Sequence, residues 1–341
     1  MKAMVYLGPK TMEVQEIPKP EPKTGEVLVR VSACGICGSD VHGYLGENGR
    51  RIPPMVMGHE FAGTIEALGD GVTRGFKVGD RVTVQPAIFC GECENCHRGM
   101  THICTHKEFY GVFTCNGAFA EYVAVPEKLL YHLPDAVSDD IGALIEPLAV
   151  SYCGVKKAGD LSGKNVLIVG GGTIGQLALA VARTKNPKKL VLSDLSPSRL
   201  EFAKRFGADA VINPKEGDFK ALVEEAFDGE MVDVSVECVG VGATARQAIE
   251  CLKMQGVSVW IGNNIKMIEV DMQRIVTSEL KVYGSYIYSH AEFGEAIDLI
   301  TEKGMDLTPL ITGIIGLDQA PAMFDELLAS TEKHLKVVVH P

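Results

Sequence analysis

The chain has 341 residues, 46% of them hydrophobic and 23% charged, with a formal net charge of −11. Such a length predicts about two domains, each able to bury its own core. The acidic balance argues against a nucleic-acid or anionic-membrane partner, and no apolar run approaches the roughly 20 residues of a membrane span.

The start, Met1-Lys2-Ala3-Met4-Val5-Tyr6, enters strand-like sequence at once and lacks the apolar block of a signal peptide. Of the ten cysteines, four crowd between Cys90 and Cys104. That pattern favours metal thiolates over a disulfide framework and makes the cytosol the expected compartment.

Residues 1–33 read as β structure, with Val27-Leu28-Val29-Arg30-Val31 following a loop marked by Pro18, Pro20 and Pro22. Next comes Cys34-Gly35-Ile36-Cys37-Gly38-Ser39-Asp40-Val41-His42. It supplies a soft metal ligand (Cys37), a hydroxyl (Ser39), a carboxylate (Asp40) and an imidazole (His42). These types suit a zinc that polarises an alcohol oxygen, with a path for the alcohol's proton. The bland alternative is a glycine-rich turn with two buried thiols. Gly58-His59-Glu60 then offers an imidazole and a carboxylate at adjacent positions, although a lone histidine of this kind is more often a satisfied core residue.

Gly79 to Val84 reads as a turn into a strand. The spacing Cys90-x-x-Cys93-x-x-Cys96-x(7)-Cys104 matches a closed, all-cysteine, structural zinc site. His97, His102 and His106 stand beside it as bystanders. Gly117 to Pro126 has a strand pattern. Ile141 to Val150 is apolar around one carboxylate, Glu146. A charge there is costly unless it is paired or near a metal. The other reading is a helix-end glutamate before Pro147 that reaches solvent, and both stay open.

From about residue 155 strands alternate with helices. Asn165-Val166-Leu167-Ile168-Val169 is a buried-strand run entering Gly170-Gly171-Gly172-Thr173-Ile174-Gly175, and a helix follows from Gln176 to Arg183. This is G-x-G-x-x-G in its required context, a cradle for a dinucleotide pyrophosphate at a helix N-terminus. Asp194 ends the next strand 19 residues past Gly175, the spacing at which an acid meets the adenosine ribose. Helices are expected at Arg199–Phe206, Phe219–Phe227, Thr244–Leu252 and Phe293–Lys303. Strands are expected at Ala210–Ile212, Val232–Cys238, Gly256–Gly262 and Lys336–Val339. The alternation predicts an α/β, doubly wound parallel sheet.

The motifs C-G-I-C-G-S-D-V-H, G-H-E, the four-cysteine lobe, E-P-L-A-V (146–150) and G-G-G-T-I-G together resemble the zinc-containing medium-chain dehydrogenases. The branch resembled includes sorbitol, 2,3-butanediol, galactitol-phosphate and threonine dehydrogenases. The resemblance spans essentially the whole chain. It implies a GroES-like, mostly-β catalytic domain (1–152, with the zinc lobe at about 88–106), a Rossmann NAD-binding domain (153–284) and a return to the catalytic domain (285–341). It implies that Cys37, His59 and an acid, Glu60 or Glu146, hold a catalytic zinc, and that Cys90, Cys93, Cys96 and Cys104 hold a second.

Further implications are a proton relay through Ser39 and His42, with Asp40 orienting His59. Gly170, Gly172, Thr173, Ile174, Gly175, Asp194 and Arg199 are expected at the NAD. Tyr44 resembles a pocket aromatic of sorbitol dehydrogenases, whereas Ile287 stands where those enzymes carry arginine. Homodimers or homotetramers are usual in the family.

The expected activity is NAD-dependent oxidation of a secondary alcohol in a polyol or vicinal diol. A sugar-acid or sugar-phosphate alcohol is an alternative. A threonine-dehydrogenase-like activity is another, disfavoured by Leu148-Ala149 after Glu146-Pro147. A non-catalytic NAD-binding protein on the same fold is disfavoured by the intact set Cys37, Ser39, His42, His59 and Glu60.

Overall fold

The β-branched run predicted at Val27–Val31 lies inside a ten-residue strand, Glu26–Gly35, whose side chains are largely buried. The computed structural model describes residues 1–341 other than Asn48 and Thr331. Its chain divides into two units, Met1–Glu146 with Ser289–Pro341, and Pro147–Tyr288. The division falls at 146/147 and 288/289, against the expected 152/153 and 284/285.

In the first unit a seven-stranded sheet runs Leu130–His132, Arg81–Val84, Glu60–Leu68, Glu26–Gly35, Lys336–His340, Ile311–Gly316, and Tyr122–Pro126 also pairs with Glu26–Gly35. Its registers decide where the chemistry sits. Gly35, at the end of the central strand, is opposite Glu60 on one side and Val338 on the other. The chain's last strand therefore runs beside the segment that leads into Cys37. Tyr6, Phe61, Phe119, Leu129 and Phe324 lie in the core of this unit.

The expected strand at Gly117–Pro126 forms only over Tyr122–Pro126. The residues before it have another partner: Gly117, Ala118 and Phe119 donate their amides to Val56, Gly58 and Met57. That pairing fixes the turn that presents His59.

In the second unit six parallel strands run Ala210–Ile212, Lys189–Ser193, Asn165–Val169, Val232–Glu237, Leu252–Trp260, Lys281–Gly284. This is the doubly wound order, and its reversal lies between Asn165–Val169 and Val232–Glu237. Helices Thr173–Arg183, Pro197–Arg205, Phe219–Ala226 and Gly242–Glu250 connect successive strands. All five residues of Asn165–Val169 are buried, as a strand covered on both faces requires.

The segment around Glu146 belongs to one helix, Asp139–Lys157, which continues through Pro147. Glu146 is 4% exposed, so it neither ends a helix nor reaches solvent. The proline costs one helical hydrogen bond; one turn on, Ser151 Oγ donates to the Pro147 carbonyl. Among the described residues no helix is long and apolar enough to cross a membrane.

Candidate active site and metal centres

His59 is buried at the end of a turn that needs glycine. Gly58 has φ +96°, and a Cβ there would lie 2.8 Å from the Phe119 amide. Cys37 caps the helix Gly38–Tyr44, its sulfur accepting from the Ser39 amide at 3.4 Å while Asp40 Oδ2 accepts from the Cys37 amide at 3.1 Å. Glu60 opens the next strand. Ligand atoms of Cys37, His59 and Glu60 lie within 4.8 Å of one another.

Asp40 is fully buried behind this cluster. Its Oδ1 lies 3.3 Å from His59 Nδ1 and 2.7 Å from Arg51 Nη2. Burial works against its charge, but the His59 and Arg51 charges outweigh it and hold the carboxyl at about 2. Burial opposes a proton on His59 too. Asp40 and Cys37 overcome it and raise the imidazole well above its ordinary value, so the cluster draws positive charge. With Nδ1 facing Asp40, Nε2 is the nitrogen left for a metal. One sulfur, one nitrogen and one carboxylate oxygen make up three of the four positions of a tetrahedral ion, the donor count of a catalytic zinc.

Glu60 has its own buried partner. Lys336 Nζ lies 2.6 Å from Glu60 Oε2 and donates to the Ile36 carbonyl at 3.0 Å. Gly35 makes room, because a Cβ there would be 2.2 Å from Glu60 Oε2. Glu146 lies outside the three-residue donor cluster. Its charge is instead among those that raise Lys336, after Glu60 and Cys37 and against burial.

Ser39 and His42 are exposed on the Gly38–Tyr44 helix, and Ser39 Oγ accepts from Arg51 Nη2 at 3.3 Å. Tyr44, expected as a pocket aromatic, is placed in the core. It is 4% exposed, edge-on to Phe324, with its hydroxyl 3.0 Å from Asp325 Oδ1. A ring so enclosed and a hydroxyl so committed serve packing.

In the lobe the four sulfurs of Cys90, Cys93, Cys96 and Cys104 converge within 4.8 Å, with separations of 3.5, 3.9 and 3.9 Å between contacting pairs. Zinc–sulfur bonds of about 2.3 Å put tetrahedral sulfurs about 3.8 Å apart. Backbone amides of Glu92 and Cys93 point at Cys90, and amide donors lower the Cys93 and Cys90 thiols, while burial and the neighbouring sulfurs push Cys96 up to about 12; a cation among the four sulfurs would favour the thiolate at each. The lobe fits a structural zinc.

In the second unit Gly170 has φ +103°, and a Cβ on Gly175 would lie 1.7 Å from the Gly170 carbonyl oxygen. Only glycine allows that helix start. Gly172 caps the Thr173–Arg183 helix. Asp194 accepts from the Gly171 amide at 2.6 Å and the Ser196 amide at 2.8 Å, and Arg199 lies 3.8 Å from it. The turn, the acid and the arginine thus meet in one place.

Motif reading missed Arg51, Lys336 and Gln176, whereas Glu237 is where the strand pattern puts it, at the carboxyl end of Val232–Glu237. Arg51 and Lys336 are buried cations. Gln176 is fully buried and donates to the Gly171 and Arg199 carbonyls. Glu237 accepts from the Val239 and Gly240 amides at a strand end. The only local signal for Lys336 is a charge heading an apolar strand; Arg51 has none.

Residues 23–135 match the family described as alcohol dehydrogenase GroES-like domain, and residues 173–302 match zinc-binding dehydrogenase. The chain belongs to the zinc-containing medium-chain alcohol dehydrogenase family. As a member it is an oxidoreductase that uses zinc and a nicotinamide cofactor. It is 32% identical to sorbitol dehydrogenase of Bacillus subtilis (strain 168), over 100% of this chain and 97% of that one. It is 36% identical to 2-dehydro-3-deoxy-L-galactonate 5-dehydrogenase of Pseudoalteromonas atlantica, over 95% and 94%. A solved structure from Sinorhizobium meliloti 1021, described as a zinc-binding dehydrogenase bound to NADP, superposes with a TM-score of 0.92 at 33% identity, over 100% and 99%.

Proposed function

We propose that this dehydrogenase reversibly oxidises, with NAD, a secondary alcohol within a polyol or vicinal diol. The observation that carries the reading is the donor set Cys37, His59 and Glu60. A carboxylate stands there as the third donor, next to a hydroxyl and an imidazole on the adjoining helix. Relatives named for sorbitol and for a sugar acid support a hydroxyl-rich substrate.

Cys37, His59 and Glu60 would hold the catalytic zinc, and Cys90, Cys93, Cys96 and Cys104 the structural one. When bound, the zinc supplies Lewis acidity toward an alcohol oxygen, and the nicotinamide supplies a hydride acceptor. Asp40 keeps the His59 ring turned with Nε2 forward. Ser39 Oγ takes the alcohol's proton, and His42, being exposed, passes it to solvent. Lys336 balances the buried Glu60 charge. In the second unit the amides of the Gly170–Gly175 turn, with Thr173 and Ile174 at the helix start, bind the pyrophosphate, and Asp194 binds the adenosine ribose.

The protein acts in the cytosol as a homodimer or homotetramer. Exposed Met272, Val276 and Tyr283, on and before the edge strand Lys281–Gly284, support self-association. The test is NAD reduction by sorbitol and by 2,3-butanediol, before and after removal of the metal with a chelator. Reduction that zinc restores supports the reading; undiminished reduction in metal-free protein overturns it.

A further inference from the structure

We propose that Arg51 is a positioning residue that couples the carboxylate behind the metal-binding histidine to the hydroxyl that takes the substrate's proton. The inference rests on the dehydrogenase reading above. One nitrogen, Nη2, donates to Asp40 Oδ1 at 2.7 Å and to Ser39 Oγ at 3.3 Å. The same Asp40 oxygen lies 3.3 Å from His59 Nδ1. Ser39, Arg51 and Asp40 therefore form one hydrogen-bonded chain, and the His59 ring stands against its Asp40 end at ion-pair distance.

Arginine only donates and keeps its charge, so it cannot carry the relay proton. What it does is set direction. With Arg51 donating into Ser39 Oγ, the hydroxyl's own hydrogen points elsewhere. One lone pair remains for the alcohol's proton, and the serine hydrogen is free to move on. The same guanidinium balances the Asp40 charge, so Asp40 keeps the His59 ring in one orientation. Metal orientation and proton removal thus depend on one side chain.

The fold makes this arrangement at a cost. The Arg51 side chain is 1% exposed, and burying a guanidinium is expensive. Its Nε has no hydrogen-bond partner among the described residues, a loss that an ion pair serving stability alone would avoid. Gly43 supplies the space, since a Cβ there would lie 2.2 Å from Arg51 Cδ. Alanine is otherwise the better helix residue at that position, so the glycine is explained by the arginine.

The test uses the full chain loaded with zinc, as Arg51→Met, Arg51→Lys and Gly43→Ala, with Ser39→Ala as the reference for a broken relay. Three quantities are read: zinc retained against a chelator, kcat and KM with the solvent deuterium isotope effect, and melting temperature. Arg51→Met is expected to weaken retention of one of the two zincs by about tenfold or more. It should also lower kcat at least about tenfold, with a smaller change in KM. Its solvent isotope effect should match that of Ser39→Ala.

Arg51→Lys supplies a point charge to Asp40 without the planar fork. It should retain zinc like the parent yet show the Ser39→Ala isotope effect. Gly43→Ala keeps the arginine but displaces it, and should show that isotope effect too. Lysine and alanine variants that fold keep the test decisive if the methionine variant does not. Suppose Ser39→Ala alters the isotope effect while the Arg51 and Gly43 variants keep the parent's value and its zinc. The coupling is then wrong and the dehydrogenase reading stands. If Ser39→Ala itself leaves kcat and the isotope effect unchanged, the relay fails and this proposal fails with it.

Discussion

Lys336 Nζ lies 2.6 Å from Glu60 Oε2, with side chains 2% and 1% exposed. The two residues are 276 positions apart in the chain, and the antiparallel pairing of the last strand with Glu26–Gly35 brings them together. Losing one member of a buried pair leaves the other charge uncompensated, which costs about 3–5 kcal/mol. Lys336→Met should destabilise the first unit by about that amount, and Lys336→Arg by less. Denaturant unfolding measures it; a loss below about 1 kcal/mol, the range of an exposed pair, would count against a buried one.

The two metal centres should separate by mutation. His59→Ala should abolish turnover and release one zinc while the fold survives. Cys93→Ser should lower the melting temperature, because a structural site contributes to folding. Metal analysis with melting curves of both variants distinguishes the roles. Unchanged zinc content and melting in Cys93→Ser would remove the lobe from the metal sites.

NAD should be preferred to NADP. The Asp194 carboxylate suits a ribose 2′-hydroxyl and repels a 2′-phosphate, while Arg199 nearby softens the repulsion. Asp194→Ala should weaken NAD binding and narrow the preference, as read from binding constants for both cofactors. Since Asp194 also accepts the Gly171 amide, Asp194→Asn is the control that keeps an acceptor there. Equal catalytic efficiency with NAD and NADP in the parent would contradict the assignment.

Stability should carry a signature of His290. Burial, followed by the charges of Arg74 and Lys128, lowers this imidazole below its ordinary 6.5. Its Nδ1 lies 2.6 Å from Gln85 Oε1. The folded form holds the ring neutral, so below about 6.5 the unfolded chain binds the extra proton. The contribution is complete above that pH and is lost as pH falls through it toward the lower folded value. His290→Gln should flatten the stability profile between pH 7 and 5 (about one proton's worth of slope). Parallel profiles for parent and variant would show that His290 is not the group.

Much of the site could be read locally because its chemistry is local. The two-residue gaps of the cysteine lobe, and Gly170–Gly175 between a buried strand and a helix, need only neighbours to be recognised. The failures share a cause: long-range packing. Nothing near Lys336 announces that its strand will pair with residues some 300 positions earlier. Arg51 carries no local signal, and the space left by Gly43 admits it to the interior. Tyr44 carries a pocket-like position in the motif, but Phe324 and Asp325, from near the chain's end, enclose it. Pro147 looks like a helix stop until the buried faces on both sides of it carry the helix through.

The most direct test of the account is catalytic efficiency with zinc-loaded protein and NAD across ethanol, 2-propanol, 2,3-butanediol, erythritol, sorbitol, galactitol phosphate and threonine. A pocket that pairs several hydroxyls loses those bonds with a simple alkanol, so the best polyhydroxy substrate should exceed ethanol and 2-propanol by about a hundredfold or more. Ethanol or 2-propanol outperforming every polyhydroxy compound would contradict the polyol assignment and leave only the zinc alcohol dehydrogenase class.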